Sequence, residues 1–308
     1  MPELTTSDTN TPEAVAEPIF QRLVLIGLGL IGSSVARAAR ETGAAAEIVA
    51  CDASEAVCTR VAELGIADRV EADPALAVAS ADCVMLCVPV GALADVAAVI
   101  APHLAPGAIL TDVGSTKISV VRDVGPVVPA GVHFVPAHPL AGTEFSGPDA
   151  GFATLFQGRY CLVVPPAGTD AAAVARVVAL WERLGAMVEE MEPAHHDRVL
   201  AVVSHLPHLL AFTICGTADD LADETRQEVL RFAASGFRDF TRIAASDPVM
   251  WRDIFLNNRE ALLEMLARFT EDAQAMARAI RWGDAGYIED RVLRGRKIRR
   301  SLIEIKQA

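Results

Sequence analysis

What is missing from this chain narrows its function early. None of its six cysteines (Cys51, Cys58, Cys83, Cys87, Cys161 and Cys215) stands in CxxC spacing, and most lie in apolar runs as small core residues. That usage points to the cytoplasm. Positive charge is short: 27 Lys and Arg against 40 Asp and Glu leave a net −13, so the surface repels phosphate backbones and general nucleic-acid binding is excluded. The opening MPELTTSDTN has no basic stretch followed by an apolar one, so no signal peptide is expected. Residues 1–18, rich in Thr, Glu, Pro and Ala without periodicity, are expected to form a disordered leader. Val199–Ala218 lacks Asp, Glu, Lys and Arg over 20 residues, yet holds Ser204, His205, Pro207, His208 and Gly216. Such groups are costly in lipid, so this reads as a buried helix of a soluble protein and no membrane contact is expected.

What is present describes two packed units. Hydrophobic residues at 52% and charged residues at 22% exclude a disordered chain, and 308 residues suggest two domains. From Phe20 onward, short apolar runs read as buried strands: Leu23–Ile26, Ile48–Ala50, Cys83–Cys87, Ala108–Leu110, Val132–Val135 and Tyr160–Val164. Alanine-rich stretches at helical spacing lie between most of them (Ile31–Glu41, Ser54–Leu64, Leu93–Leu104, Ala171–Leu184), with Gly43, Gly65, Pro89, Pro106, Pro129, Pro136 and Pro165 at the joints. This alternation implies an α/β fold, a Rossmann-type doubly wound, mostly parallel sheet over 19–192. Beyond Glu192-Pro193 the pattern turns helical, over about 194–220, 223–235, 248–280 and 284–306. An all-helical domain of 193–308 follows, apolar enough to pack on its own copy as a homodimer. The basic run Arg291, Arg294, Arg296, Lys297, Arg299, Arg300 and Lys306 reads as the solvated face of a final helix.

The first strand runs into Gly27-Leu28-Gly29-Leu30-Ile31-Gly32 and then a helix. In that context GxGxxG is a dinucleotide fingerprint. Gly27 permits the turn, Gly29 lets the backbone approach a pyrophosphate, and Gly32 allows close helix packing; Ile31 belongs to the same phosphate-facing turn. The next strand ends at Asp52, twenty residues after Gly32. A carboxylate there accepts the ribose hydroxyls and repels a 2′-phosphate, which favours NAD over NADP; its other role is a helix N-cap, which Ser54 could equally fill.

Ligands of open parallel sheets sit beyond the carboxyl ends of the strands. Val88-Pro89-Val90 follows one such end and would edge the cofactor; Thr111–Lys117 and His138–Glu144 follow two others. Oxidising a carbinol needs a base, and His138 is the candidate, in a loop shaped by Pro139 and Gly142. Ser115 could hydrogen-bond the imidazole or the substrate hydroxyl, or cap a helix from Thr116. In the helical part, His205 and His208 share a face at i, i+3; they suit packing or a polar pocket wall better than zinc, since no ligand pattern accompanies them and no metal is expected. Arg238 and Arg242, four apart, suit a carboxylated substrate or a surface pairing with Asp239. Trp251 could wall the pocket or fill the core.

Taken together, GLGLIGSS at 27–34, DVGSTK at 112–117, HPLAGTE at 138–144, SHLPH at 204–208, GFRDFTRIA at 236–244 and DPVMW at 247–251 resemble the prephenate/arogenate (cyclohexadienyl) dehydrogenases of tyrosine biosynthesis. The resemblance covers about 21–300. It implies NAD-dependent oxidative decarboxylation, with His138 as the catalytic histidine and Ser115 assisting. It implies that Arg242 grips a substrate carboxylate, taken as the ring one, and that His208, Glu144 and Trp251 line the pocket. It also implies a dimer through the helical domain. Some members carry lysine where Arg238 stands, which weakens a role there. Some add a chorismate mutase or ACT domain, for which this chain has no expected room. Two competing readings are a β-hydroxyacid dehydrogenase and an NAD-binding redox sensor. The first normally needs a lysine after the α/β part, and none stands between Lys117 and Lys297. The second leaves the convergence of Ser115, His138 and Arg242 unexplained.

Overall fold

The computed structural model describes residues 17–221 and 223–304, so the expected leader lies outside the described residues up to position 16. The first half runs β1 (Phe20–Ile26), α1 (Leu30–Thr42), β2 (Ala45–Cys51), α2 (Glu55–Leu64), β3 (Arg69–Glu71), α3 (Pro74–Ala77), β4 (Cys83–Leu86), α4 (Leu93–Ile100), β5 (Ile109–Asp112), α5 (Ile118–Val124) and β6 (His133–Phe134). The six strands form one parallel sheet in the order β3-β2-β1-β4-β5-β6. Alternate residues of β1 serve opposite faces. Leu23 and Leu25 join a core with α1 and α2, whereas Val24 and Ile26 join one with α4 and α5. A strand buried on both faces must be apolar throughout, which is why these runs stand out in the sequence.

The chain then leaves this sheet. Pro136 has no N–H to continue the ladder, and β7 (Ala137–Pro139) pairs antiparallel with β8 (Tyr160–Val163), which pairs parallel with β9 (Met187–Glu190). Two expectations are corrected here. The run Tyr160–Val164 belongs to this second sheet, not to the doubly wound one. His138 lies on a strand opposite Leu162 rather than in a loop. The strands β3, β7 and β9 escaped the sequence reading because each is short and two are polar. Helix α6 (Ala171–Arg183) covers the junction, and its Trp181 is fully buried against Phe156.

Beyond Pro193 the described elements are helical: α7 (Pro193–Leu200), a π turn (Ala201–His205), α8 (Leu206–Asp219), α9 (Asp223–Phe232), α10 (Ser235–Thr241), α11 (Pro248–Asn257), α12 (Arg259–Trp282) and α13 (Ala285–Glu304). The expected helix 248–280 is two, broken at Asn258 with φ −112° and ψ 33°. Arg238 and Arg242 fall on either side of the end of α10, where a 3-10 turn, Arg242–Ala245, begins. Among the described residues one helix, Pro193–Asp219, is long and apolar enough to cross a membrane. The expectation that this stretch is buried holds on one side only. Leu200, Ala201, His205 and Ala211 are covered, whereas Val202 and Val203 are 48% and 60% exposed. A helix this long needs neighbours all round, and a single chain supplies them on one side.

The link from β1 to α1 is tight. A Cβ on Gly32 would stand 2.0 Å from the Gly27 carbonyl oxygen, whereas one on Gly29 would meet nothing within 4 Å. Gly32→Ala should therefore cost about 1–3 kcal/mol of stability, and Gly29→Ala should stay within about 0.5 kcal/mol of the parent. Urea unfolding of both checks this; equal midpoints would remove the packing argument.

Candidate active site

The glycine turn builds a cradle. Gly27 has φ +96°, and a Cβ there would lie 2.8 Å from the Cys87 carbonyl. Gly29 precedes α1 with no side-chain cap, and the hydroxyls of Ser33 and Ser34 donate back to the carbonyls of Gly29 and Leu30 at 2.6 and 2.7 Å. The amides of Leu30, Ile31 and Gly32 at the start of α1 precede the first helical hydrogen bond, Ser33 N to the Gly29 carbonyl at 3.0 Å, and the space beside Gly29 is open. Free amides at a helix N-terminus beside open space fit a diphosphate. Asp52 accepts hydrogen bonds from the amides of Leu28 (2.8 Å) and Ser54 (2.9 Å), so it also braces the turn. The N-cap of α2 is Ser54, not Asp52. Val88 lies half-buried against Gly27, and exposed Pro89 opens a mostly half-buried 3-10 turn, Val90–Ala92.

A second, largely buried cluster lies beyond β5 and β7. Lys117 Nζ donates to Asp112 Oδ2 at 2.6 Å, with both side chains 0% exposed. Asp197, from α7, accepts the amides of Lys117 and Ile118 at 2.7 and 2.9 Å and so caps α5 from another part of the chain. Ser115 therefore does not cap this helix. The same Asp197 carboxylate lies 2.8 Å from His196 Nδ1, and His196 Nε2 lies 2.9 Å from His138 Nδ1. An ionised carboxylate only accepts, so the order of donors follows. His196 Nδ1–H donates to Asp197, His138 Nδ1–H donates to His196 Nε2, and His138 Nε2 keeps its lone pair. Burial first, then His196, Lys117 and His205, hold His138 well below the ordinary 6.5. Ser115, half-buried, makes no hydrogen bond to His138 among the described residues.

The helical half supplies the opposite wall. Asn258, at the α11–α12 break, places its Nδ2 2.8 Å from the Asp197 carbonyl and 2.9 Å from His205 Nδ1. His205 is thereby fixed as an Nε2–H donor; that nitrogen is buried without a partner, and burial pushes its pKa down to about 4. His208 donates from Nδ1 to the Ser204 carbonyl at 2.8 Å and stacks on Trp251 at 3.7 Å. Burial is the main cause of a lowered His208 pKa, and the Arg242 guanidinium adds to it. Arg242 lies 3.8 Å from Glu144, with side-chain exposures of 64% and 37%; Glu144, not Asp239, is its acidic neighbour. Trp251 is 6% exposed and packs against His205, His208, Phe212 and Phe255. Arg238 is exposed on α10, not drawn into this cluster. The sequence reading missed His196, Asp197 and Asn258. His196-Asp197 stands just after Pro193 and offered a signal; Asn258 offered none, since its role depends on two distant partners.

Buried neutral histidines have a pH consequence. His138, His196 and His205 all have folded-state pKa values below 6.5, chiefly from burial. Below 6.5 the unfolded chain takes up protons that the folded chain refuses, so stability is level above about pH 7 and falls as pH drops through 6.5 towards the folded values. The melting temperature should be lower at pH 5 than at pH 7, and His205→Asn should flatten that slope. A melting temperature that rises on acidification over this range contradicts the assignment.

Comparison with known proteins identifies both halves of the chain. Residues 35–190 match the family model described as prephenate dehydrogenase, nucleotide-binding domain, and residues 192–292 match prephenate dehydrogenase, dimerization domain. The chain is 42% identical over 284 residues to the cyclohexadienyl dehydrogenase of Zymomonas mobilis, covering 92% of this chain and 97% of that protein. It superposes on the prephenate dehydrogenase of Aquifex aeolicus, solved with hydroxyphenyl propionate and NAD+, with a TM-score of 0.84 at 34% identity over 92% of this chain and 98% of the other. For the Synechocystis arogenate dehydrogenase the TM-score is 0.77 at 26% identity, over 91% and 99%. With both halves matched and a relative covered almost end to end, the chain belongs to the prephenate dehydrogenase family.

Proposed function

We propose that His138 is the proton acceptor in the NAD-dependent oxidative decarboxylation of prephenate or arogenate, giving 4-hydroxyphenylpyruvate or tyrosine and carbon dioxide. The activity is that of the family; the residue roles are our reading. One observation carries it: the run Asp197–His196–His138 leaves the His138 Nε2 lone pair free, on an imidazole that burial keeps neutral. A neutral imidazole within reach of a ring hydroxyl is a competent base near neutral pH. His196 and Asp197 orient it and set its tautomer, in the manner of a third group behind a catalytic base.

When bound, NAD supplies the hydride acceptor. We assign its diphosphate to the turn Gly27, Gly29, Ile31 and Gly32, its ribose to Asp52 and its edge to Val88 and Pro89. Ser115 is read as the partner of the substrate hydroxyl, since His138 Nδ1 is already engaged by His196. Arg242 takes the ring carboxylate in place of Glu144. His208 and Trp251 present a flat stacked wall to the ring, and Arg238 remains a weaker candidate. As the hydroxyl proton moves to His138 Nε2, the carbinol carbon becomes carbonyl-like, the carboxylate leaves as carbon dioxide and the ring aromatises. We also read the protein as a cytoplasmic homodimer joined through residues 193–308, with 19–192 as the dinucleotide-binding domain. The matched dimerization domain and exposed Val202 and Val203 support that interface.

NADH formation on adding prephenate, and separately arogenate, tests the activity; formation with neither overturns it. His138→Asn should lower kcat by about 10² or more with little change in NAD affinity, and a near wild-type kcat would remove His138 from the chemistry. Arg242→Gln should raise KM about 10- to 100-fold, and Arg242→Lys less, because lysine lacks the planar fork. A changed melting temperature with unchanged KM would make Arg242 only a surface partner of Glu144.

A further inference from the structure

The segment that leaves β7 touches both halves of the site. Leu140 N donates to the Tyr160 carbonyl at 2.7 Å, directly after the strand that holds His138. Four residues on, Glu144 lies 3.8 Å from Arg242 of the helical half. The far end of the segment seats on the cofactor helices. Arg37 of α1 donates to the Pro148 carbonyl at 3.4 Å. Arg60 of α2 forks onto Asp149, with Nη2 to Oδ1 at 2.7 Å and Nε to Oδ1 and Oδ2 at 3.0 and 3.2 Å. A Cβ on Gly151 would stand 2.2 Å from Ser33 Oγ and 3.0 Å from the Ser33 carbonyl carbon, so only glycine lets the chain lie this close to α1. Phe152 N donates to Ser34 Oγ at 3.1 Å.

The placement of these anchors is informative. Ser33 directly follows Gly32, and its hydroxyl bonds the Gly29 carbonyl. The contact with Gly151 is therefore made by the same first turn whose amides face the diphosphate site. An exposed ion pair such as Arg60–Asp149 adds little to overall stability, but a guanidinium fork on a carboxylate fixes direction. Six residues separate Gly151 from Glu144, too few to leave much slack.

We propose that Gly151, Asp149 and Arg60 are positioning residues that hold 140–151 as a strap, tying Glu144 and hence Arg242 to helix α1, so that cofactor and substrate bind with positive coupling. A diphosphate on α1 orders its first turn and the strap seated on it. A substrate arriving next meets Glu144 and Arg242 already placed and loses less freedom on binding. Linkage makes the effect reciprocal. The proposal rests on the reading of α1 as the cofactor helix and of Arg242 as a carboxylate ligand.

The test is calorimetric, on the full chain. The dissociation constant of hydroxyphenyl propionate is measured without and with saturating NAD, and that of NAD without and with the probe. In the wild type each ligand should tighten the other on the order of 10-fold. Asp149→Asn should bring that factor close to one while NAD alone binds as before, and Gly151→Ala should lower it too. Exchanging the charges, Arg60→Glu with Asp149→Arg, should restore part of it, which a merely structural role would not do. Asp149 is exposed, so Asp149→Asn reports even if Gly151→Ala does not fold. A wild-type factor of one, or a full factor in folded Asp149→Asn, overturns the strap alone. Failure of the probe to bind wild type in the presence of NAD overturns the proposed function and the strap together.

Discussion

The carboxylate of Asp197 accepts hydrogen bonds from the amides of Lys117 and Ile118 and from His196, which in turn holds His138. That one group joins the first helical element after the sheets to the loop beyond β5 and to the strand carrying His138. It is 1% exposed, and Lys117 and His196 beside it are fully buried. An ionised carboxylate in such a place is tolerable only when its lone pairs are taken up by donors. Two backbone amides and an imidazole meet that demand, and in doing so they fix the position of everything around them. Loss of the carboxylate would free the start of α5 and the tautomer of His196 together.

The chemistry grows from the same constraint. A site this dry favours neutral groups, and the histidines at its centre are uncharged because burial outweighs the pull of Asp197 and Asp112. The charges that remain are the Asp197 carboxylate and the Lys117–Asp112 pair, and the Lys117 ammonium opposes protonation of the histidines. A base that is neutral but oriented is what proton removal from an alcohol requires. By contrast Arg242, beside Glu144, is 64% exposed and stands in water.

The cofactor end follows a different logic, steric rather than electrostatic. Gly27 and Gly32 bring backbone against backbone, whereas the space beside Gly29 stays open. Asp52 then braces the Leu28 and Ser54 amides, one with each carboxylate oxygen. Replacing it to alter cofactor preference would also loosen the turn, so effects on specificity and on affinity should be separated at that position.

Much of this was legible in the sequence because it is local. Period-two and period-3.6 patterns, the glycine turn and the proline joints each involve residues a few positions apart, and they determined the doubly wound half, the helical half, the cofactor turn and the choice of His138. The resemblance, carried by motifs in order along the chain, gave Ser115, Arg242 and His208 specific roles and added Glu144. The tertiary structure alone decided the rest. It moved Tyr160–Val163 into a second sheet after Pro136, broke the helix at Asn258, and left one face of Pro193–Asp219 uncovered. It also brought Asp197 to Lys117 across 80 positions and His196 to His138 across 58. No local pattern records such a meeting, because a hydrogen bond between distant residues depends on where the packing of two cores leaves their side chains.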